Sequence, residues 1–392
     1  MTKITEVEIV EFKFEVQNMG SIDGNKAVYN IGYSKGAVSE VSKYAIIVKA
    51  DDGSQGEYVM NWAGTGVSMA QTVALAGNLI GRNPYHREQI YDDFKRELRQ
   101  HDHMGQGAID IALWDLAGKS YGASVAQMLG GYRDRIKTYS STYHGDHNGG
   151  LDSKEAFADF GQACYEMGYR AYKIHGWKDG NAAIEAQNVL HNRKALPDDM
   201  VLMLDPCCEL RTFSDALYVG GACDEASYFW YEDPYRDGGT SAFGHKMLRE
   251  KLKTPMLQTE FLRGVEPKAD FIIAGGTDLL RADPEYDMGI TGTMKIAHLA
   301  ESLGTDVELH ACGPAHRACI AAIRNTNYYE MALVGPNCPN AVPPVYTCGY
   351  SDQLDAIDAD GCVPVPDGPG LGVSYDWDFI RKNQIQSKVF KA

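Results

Sequence analysis

The chain has 392 residues, 37 of them basic and 53 acidic, for a formal net charge of −16. That balance excludes a surface built for nucleic acid, whose phosphates demand the opposite sign. Apolar residues make up 44%, ample for a packed core, and the length exceeds the roughly 250–300 residues at which a single core stops growing, so a large domain and a smaller one are expected.

Residues 1–20 spread Lys3, Glu6, Glu8, Glu11 and Glu15 through the segment, leaving no apolar run for a secretory signal, and the mature protein is expected to start near Met1. Over residues 4–60, Ile4, Val7, Ile9 and Phe12 and then the run Tyr44–Ala50 predict an antiparallel sheet. Asp52-Gly53 supplies a hairpin turn signal. The charge-free stretch Tyr58–Gly81 is broken by Asn61, Thr65, Ser68, Gln71, Thr72 and Asn78, so no membrane segment is expected. From Val67 to Leu129 the period turns helical, with Ile109, Ala112, Leu113 and Leu116 on one face of a helix ending before Gly130-Gly131. Residues 1–130 therefore read as a small α+β unit.

From Asp134 onward, strand-like runs alternate with helical stretches. They are 136–140, 171–175, 201–205, 228–232, 256–260, 279–283, 307–310 and 328–331. Eight βα units predict a parallel barrel over 131–360. An open doubly wound sheet is the rival, but the GxGxxG turn it would want is absent. The Pro- and Gly-rich tail 361–392 reads either as a linker or, from Trp377, Phe379 and Ile380, as a segment packing back on the first unit. Nine cysteines with no CxxC pair read as thiols of a reducing cytoplasm.

The predicted strands end in polar residues: Lys173 and His175, Asp205, Glu232, Glu260, Asp283, His310 and Glu330. Active sites of parallel barrels lie at these ends. Asp205, Glu232 and Glu260 come from consecutive strands and converge on one volume, where bare carboxylates would repel. A hard divalent cation resolves the conflict, and Mg²⁺ fits because it takes a few carboxylates and leaves positions for substrate oxygens. Each acid alone would more often cap a helix or pair with Arg236 or Arg263. Lys173 and His175, two apart, share one strand face. Asp283 ends the strand beside that of His310 and is expected to accept a hydrogen bond from its ring. A metal flanked by basic groups is suited to removing a proton from carbon next to a carboxylate.

These residues resemble the mandelate racemase subgroup of the enolase superfamily. The likeness is carried by Gly107–Leu116 with Gly130-Gly131, the three acids, Asp283 followed by Gly289-Ile-Thr-Gly292, His310 and Glu330. The resemblance implies a modified (β/α)7β barrel, an N-terminal α+β capping domain and a completing C-terminal tail. It implies Asp205, Glu232 and Glu260 as Mg²⁺ ligands, a His310–Asp283 acid/base dyad and Glu330 bonded to the substrate carboxylate. Many members carry Lys-x-Lys on the second strand. Here the motif is Lys173-Ile174-His175, so Lys173 would stabilise the carboxylate and His175 would be the acid/base on the opposite face, with either His175 or His310 taking the C2 proton. Cys207 is a second departure, where members often carry Asn. Homo-oligomers are common for this architecture.

The expected activity is that of a hydro-lyase acting on a small carboxylate, an aldonate or aldarate, to give a 2-keto-3-deoxy acid. Racemisation, epimerisation or lactone cycloisomerisation through the same enediolate are the alternatives, and a non-catalytic metal-binding protein is a rival of another class. Specificity is expected from the loop Asn18–Tyr33, with Tyr29 and Asn30 facing sugar hydroxyls, and from Tyr58–Trp62. His144 and Cys207 are further candidate substrate contacts and Trp177 a candidate pocket wall. The plainer reading of His101, His103, His144 and His147 is solvent-exposed loop histidines.

Overall fold

The structure is a computed structural model that describes residues 2–21, 31–236, 238–338 and 341–392. Its first strands, β1 (Ile4–Ser21) and β2 (Ile31–Ala50), run antiparallel, and β3 (Gln55–Val59) adds to β2. Alternation sets the faces: Val10, Phe12, Phe14 and Val16 are buried while Lys13 and Glu15 are exposed. Gly53 takes φ +84 in the turn before β3, the left-handed conformation that Asp-Gly turns require. The ends of the expected specificity loop are strand instead, since Gly20 pairs with Gly32 in the ladder. Tyr29 and Asn30 lie outside the described residues.

The helices Gly66–Ala76, Arg87–Glu97, Met104–Tyr121 and Val125–Met128 follow. The helix expected to reach residue 129 ends earlier, because Gly122 at φ +65 forms a left-handed cap and Ser124 starts a new turn with its own capping box. Helix Met104–Tyr121 is buried almost all round, as a helix wedged between a sheet and a barrel must be. Gly107 permits that approach, since a Cβ there would stand 2.6 Å from the Glu285 carbonyl oxygen.

Next come β4 (Arg135–Gly145), β5 (Ala171–Trp177), β6 (Val201–Asp205), β7 (Trp230–Glu232), β8 (Met256–Gln258), β9 (Leu279–Ala282), β10 (Val307–Leu309) and β11 (Tyr329–Val334). They form one parallel sheet in the spatial order β10-β9-β8-β7-β6-β5-β4-β11, with the seam between β10 and β11. A helix separates each consecutive pair, making a (β/α)7β barrel among the described residues. After β11 the chain enters β12 (Cys362–Pro364), which pairs antiparallel with β4.

The inward faces are layered. Tyr139, Ala171, Met203, Trp230 and Leu257 make an apolar floor. Two residues further along their strands, Lys173, Asp205 and Glu232 make a charged layer above it, as the two-residue period dictates. The tail then crosses to the first sheet: Trp377 Nε1 donates to Glu57 Oε2 at 2.7 Å, Ile380 is buried, and β13 (Gln384–Lys391) pairs antiparallel with β1. Among the described residues no helix is long and apolar enough to cross a membrane.

Candidate active site

A cavity of 90 Å³ opens at the C-terminal ends of the barrel strands. Its wall includes Trp62, His144, His175, Asp205, Cys207, Asp233, Glu260 and His310. Trp62 reaches it from the segment after β3. That segment is pinned by Glu285, whose carboxylate accepts from Tyr58 Oη, Asn61 N and Ala63 N, each at 2.8 Å. Of the predicted Tyr58–Trp62 loop, Trp62 is among the described residues that line the cavity.

Beneath the cavity lies a buried ionic layer. Lys173 Nζ stands 3.2 Å from Asp205, 3.1 Å from Glu232 and 3.1 Å from Glu330. Burial opposes its charge, but Glu232 and Glu330 raise its pKa well above the usual lysine value, so it is an ammonium. Arg281, which sequence reasoning missed, pairs with Glu232 Oε1 at 2.8 Å and Glu330 Oε2 at 3.2 Å. The signal was available: Arg281 lies two residues before Asp283 and so shares its inward face. Glu232 is still pushed up to about 7, burial outweighing Arg281 and Lys173. Asp205 goes the other way. Burial would raise it, but Lys173 and His175 hold it well below the carboxylate range.

Glu330 has both oxygens engaged, by Lys173, by Arg281 and by Ala311 N at 2.6 Å. It lies in this layer and not in the cavity wall, so its contacts here are to the site's own cations. Neither Arg236 nor Arg263 pairs with the three acids' carboxylates: Arg236 meets Glu209 and Arg263 meets Asp102.

The two histidines differ in their support. His175 Nδ1 lies 2.8 Å from Thr142 O, a carbonyl that can only accept, so Nδ1 carries the hydrogen and Nε2 is left to exchange protons. That Nε2 stands 3.1 Å from Asp205 Oδ2. His310 Nδ1 bonds Asp283 Oδ2 at 2.8 Å, its Nε2 lies 3.5 Å from Glu260, and its ring stacks on Tyr286 at 5.0 Å. Burial lowers the His310 pKa, yet Glu260 and the bonded Asp283 more than offset it and push it up to about 9. At neutral pH His310 is an imidazolium. Asp283 also accepts from Glu285 N at 2.6 Å and meets His316 Nε2 at 3.1 Å, a buried histidine on the helix Pro314–Ala322 after β10 that no strand-end pattern could reveal. His175 and His310 stand at the ends of β5 and β10, which are separated by β11 and β4.

His144 is buried, not solvent-exposed as the plainer reading had it. Its ring lies 5.1 Å from that of His175, and burial, with Lys178 and His175 nearby, keeps it neutral. His101 and His147 are exposed and His103 half-buried. The Cys207 thiol lines the cavity and stays protonated, because burial beside Asp205 drives its pKa well up. Trp177 is not a pocket wall: β5 continues through it and its ring packs in the core against Phe157 at 5.1 Å, away from the cavity.

Oxygen atoms of Glu232, Asp233 and Glu260 lie within 4.8 Å of one another, a set of hard donors suited to a divalent cation. Asp233, in Trp-Tyr-Glu-Asp-Pro, was missed because strict alternation turns it outward. Its φ of +34 breaks the alternation.

Two family descriptions match the chain. Residues 156–379 match "Enolase C-terminal domain-like" and residues 25–130 match "Mandelate racemase / muconate lactonizing enzyme, N-terminal domain". The chain is 27% identical over 326 residues to a D-galactarolactone cycloisomerase of Agrobacterium fabrum, covering 79% of this chain and 82% of that one. It is 26% identical over 363 residues to an L-talarate/galactarate dehydratase of Salmonella typhimurium, covering 90% and 85%. Among solved structures, a D-glucarate dehydratase from Agrobacterium tumefaciens complexed with magnesium superposes with a TM-score of 0.84. Its identity is 27% over 98% of this chain and 99% of the other.

Proposed function

Since the chain belongs to the mandelate racemase and muconate lactonizing enzyme family of the enolase superfamily, we propose that it is a Mg²⁺-dependent acid-sugar dehydratase. It takes the C2 proton of an aldonate or aldarate and expels the 3-hydroxyl to give a 2-keto-3-deoxy acid. Asp205, Glu232 and Glu260 would hold Mg²⁺, which when bound supplies Lewis-acid stabilisation of the charge developing on the substrate carboxylate. Similarity to the magnesium-complexed D-glucarate dehydratase supports this choice of ion.

The remaining work falls to the chain's own side chains. His175 Nε2 removes the C2 proton, its tautomer fixed by Thr142 O. Lys173 supplies a fixed positive charge near the enediolate oxygens, held in place by Glu330. His310 Nε2 then gives its proton to the departing 3-hydroxyl, which leaves as water as the C3–O bond breaks. The resulting enol takes up a proton at C3 and becomes the 2-keto acid. The observation that carries this reading is His310 in the cavity wall with its Nδ1 bonded to the buried Asp283 carboxylate at 2.8 Å, which favours the protonated ring, since a hydroxide leaves only if something protonates it. A panel of aldonates and aldarates incubated with Mg²⁺ tests it by keto-acid detection. Keto acid should form from at least one member and vanish in His310→Asn; none from any member overturns the proposal.

A second reading, lactone cycloisomerisation, is favoured by the similarity to D-galactarolactone cycloisomerase. It uses the same proton abstraction, and an acyclic isomer formed from a lactone would distinguish it. Solvent deuterium at C2 without loss of water would mark epimerisation.

A further inference from the structure

The four carboxylates in the cavity wall and the layer beneath it, Asp205, Glu232, Asp233 and Glu260, differ in how their oxygens are occupied. Asp205 Oδ1 accepts from Cys207 N at 2.7 Å while Oδ2 meets Lys173 and His175. Glu232 has Arg281 on Oε1 and both Lys173 and Trp230 Nε1 on Oε2. Glu260 has His310 3.5 Å from Oε1. Asp233 is 1% exposed and, alone among the buried members of this set, has neither carboxylate oxygen within reach of a hydrogen-bond donor among the described residues.

A buried carboxylate with no donor needs a proton or a cation. The backbone is committed to holding it there. Cys208 N donates to the Asp233 carbonyl at 2.7 Å, and the residue keeps φ +34, a region that non-glycine residues rarely occupy. Its side chain lies in the cavity wall, with an oxygen within 4.8 Å of Glu232 and Glu260 oxygens. Arg281 gives the reason for a further anion: Glu232, clamped by two cations, has less charge to offer a metal, and Asp233 restores it.

We propose that Asp233 is a fourth carboxylate of the metal centre, held by the divalent cation itself or by one of its bound waters. This rests on the metal-dependent reading above. Mn²⁺ titration followed by the EPR signal of the free ion, without substrate, tests it on the wild type and on Asp233→Asn, with thermal melting to check folding. The variant should bind Mn²⁺ about 10- to 100-fold more weakly, while Glu209→Gln, which removes a nearby charge paired with Arg236, should bind as the wild type does. Equal affinity in Asp233→Asn overturns the proposal and leaves the metal-dependent reading intact; no binding by the wild type overturns both. Should the variant fail to fold, a wild-type structure grown with Mg²⁺ decides: Asp233 on the ion or its water supports the assignment, and Asp233 turned to a protein donor overturns it.

Discussion

Asp283 divides its two oxygens among three donors, and the division decides what His310 can do. Oδ2 faces His310 alone, while Oδ1 takes Glu285 N and faces His316. Burial works against the Asp283 charge, but His316 and His310 keep its pKa well below the usual range, so His310 always sees an anion. The His310 pKa of about 9 lies above the unfolded histidine value of about 6.5. Its charged form therefore adds stability that is full below the unfolded value and lost as pH rises through 9. The same sign governs turnover. With His310 as the acid, the rate falls on the alkaline side as the ring loses its proton, and Asp283→Asn, which removes the bonded anion, moves that limb to lower pH. A pH profile of kcat/KM checks this; an unmoved limb would mean that Asp283 does not set the proton on His310.

At the scale of elements, the turn after β9 ties chemistry to cap. Within Asp283–Glu285, one carboxylate orients His310 and the other receives three donors from the segment carrying Trp62. Glu285→Ala leaves three buried donors unmet at about 1–3 kcal/mol each, so a loss of about 3 kcal/mol or more is expected in urea unfolding. KM should rise as Trp62 loses its seat; unchanged KM and midpoint would show that the latch carries no load. Much of this was legible in the sequence because strand periodicity is strict: Lys173 and His175, or Asp283 and His310, follow from a period of two and strand adjacency. What escaped follows from local exceptions to pattern. Gly122 ends a helix whose apolar rhythm continues beyond it, Asp233 leaves alternation through a positive φ, and His316 sits on a helix start.

For the whole molecule, the first sheet, the barrel mouth and the returning tail are one packed body. β13 extends the first sheet along β1, β12 extends β4, and the buried helix Met104–Tyr121 meets both sheet and barrel. Asp110 on that helix accepts from Thr291 N at 2.9 Å and Thr291 Oγ1 at 2.6 Å, fixing the cap against the helix that follows β9. The cavity is thus assembled from both units, Trp62 from one and the strand ends from the other. The overall architecture was readable from the rhythm of eight runs and Trp62 from its loop, whereas Phe261, Ala332 and Leu333 of the cavity wall, distant in sequence, were not. The most direct measurement uses an acid sugar that the wild type converts, incubated in D₂O with His310→Asn. Deuterium should appear at C2 with no keto acid released, because His175 still removes the proton while the hydroxyl has no acid. Keto acid formed at the wild-type rate, or no exchange at C2 with His175 intact, would contradict a division of labour between the two imidazoles.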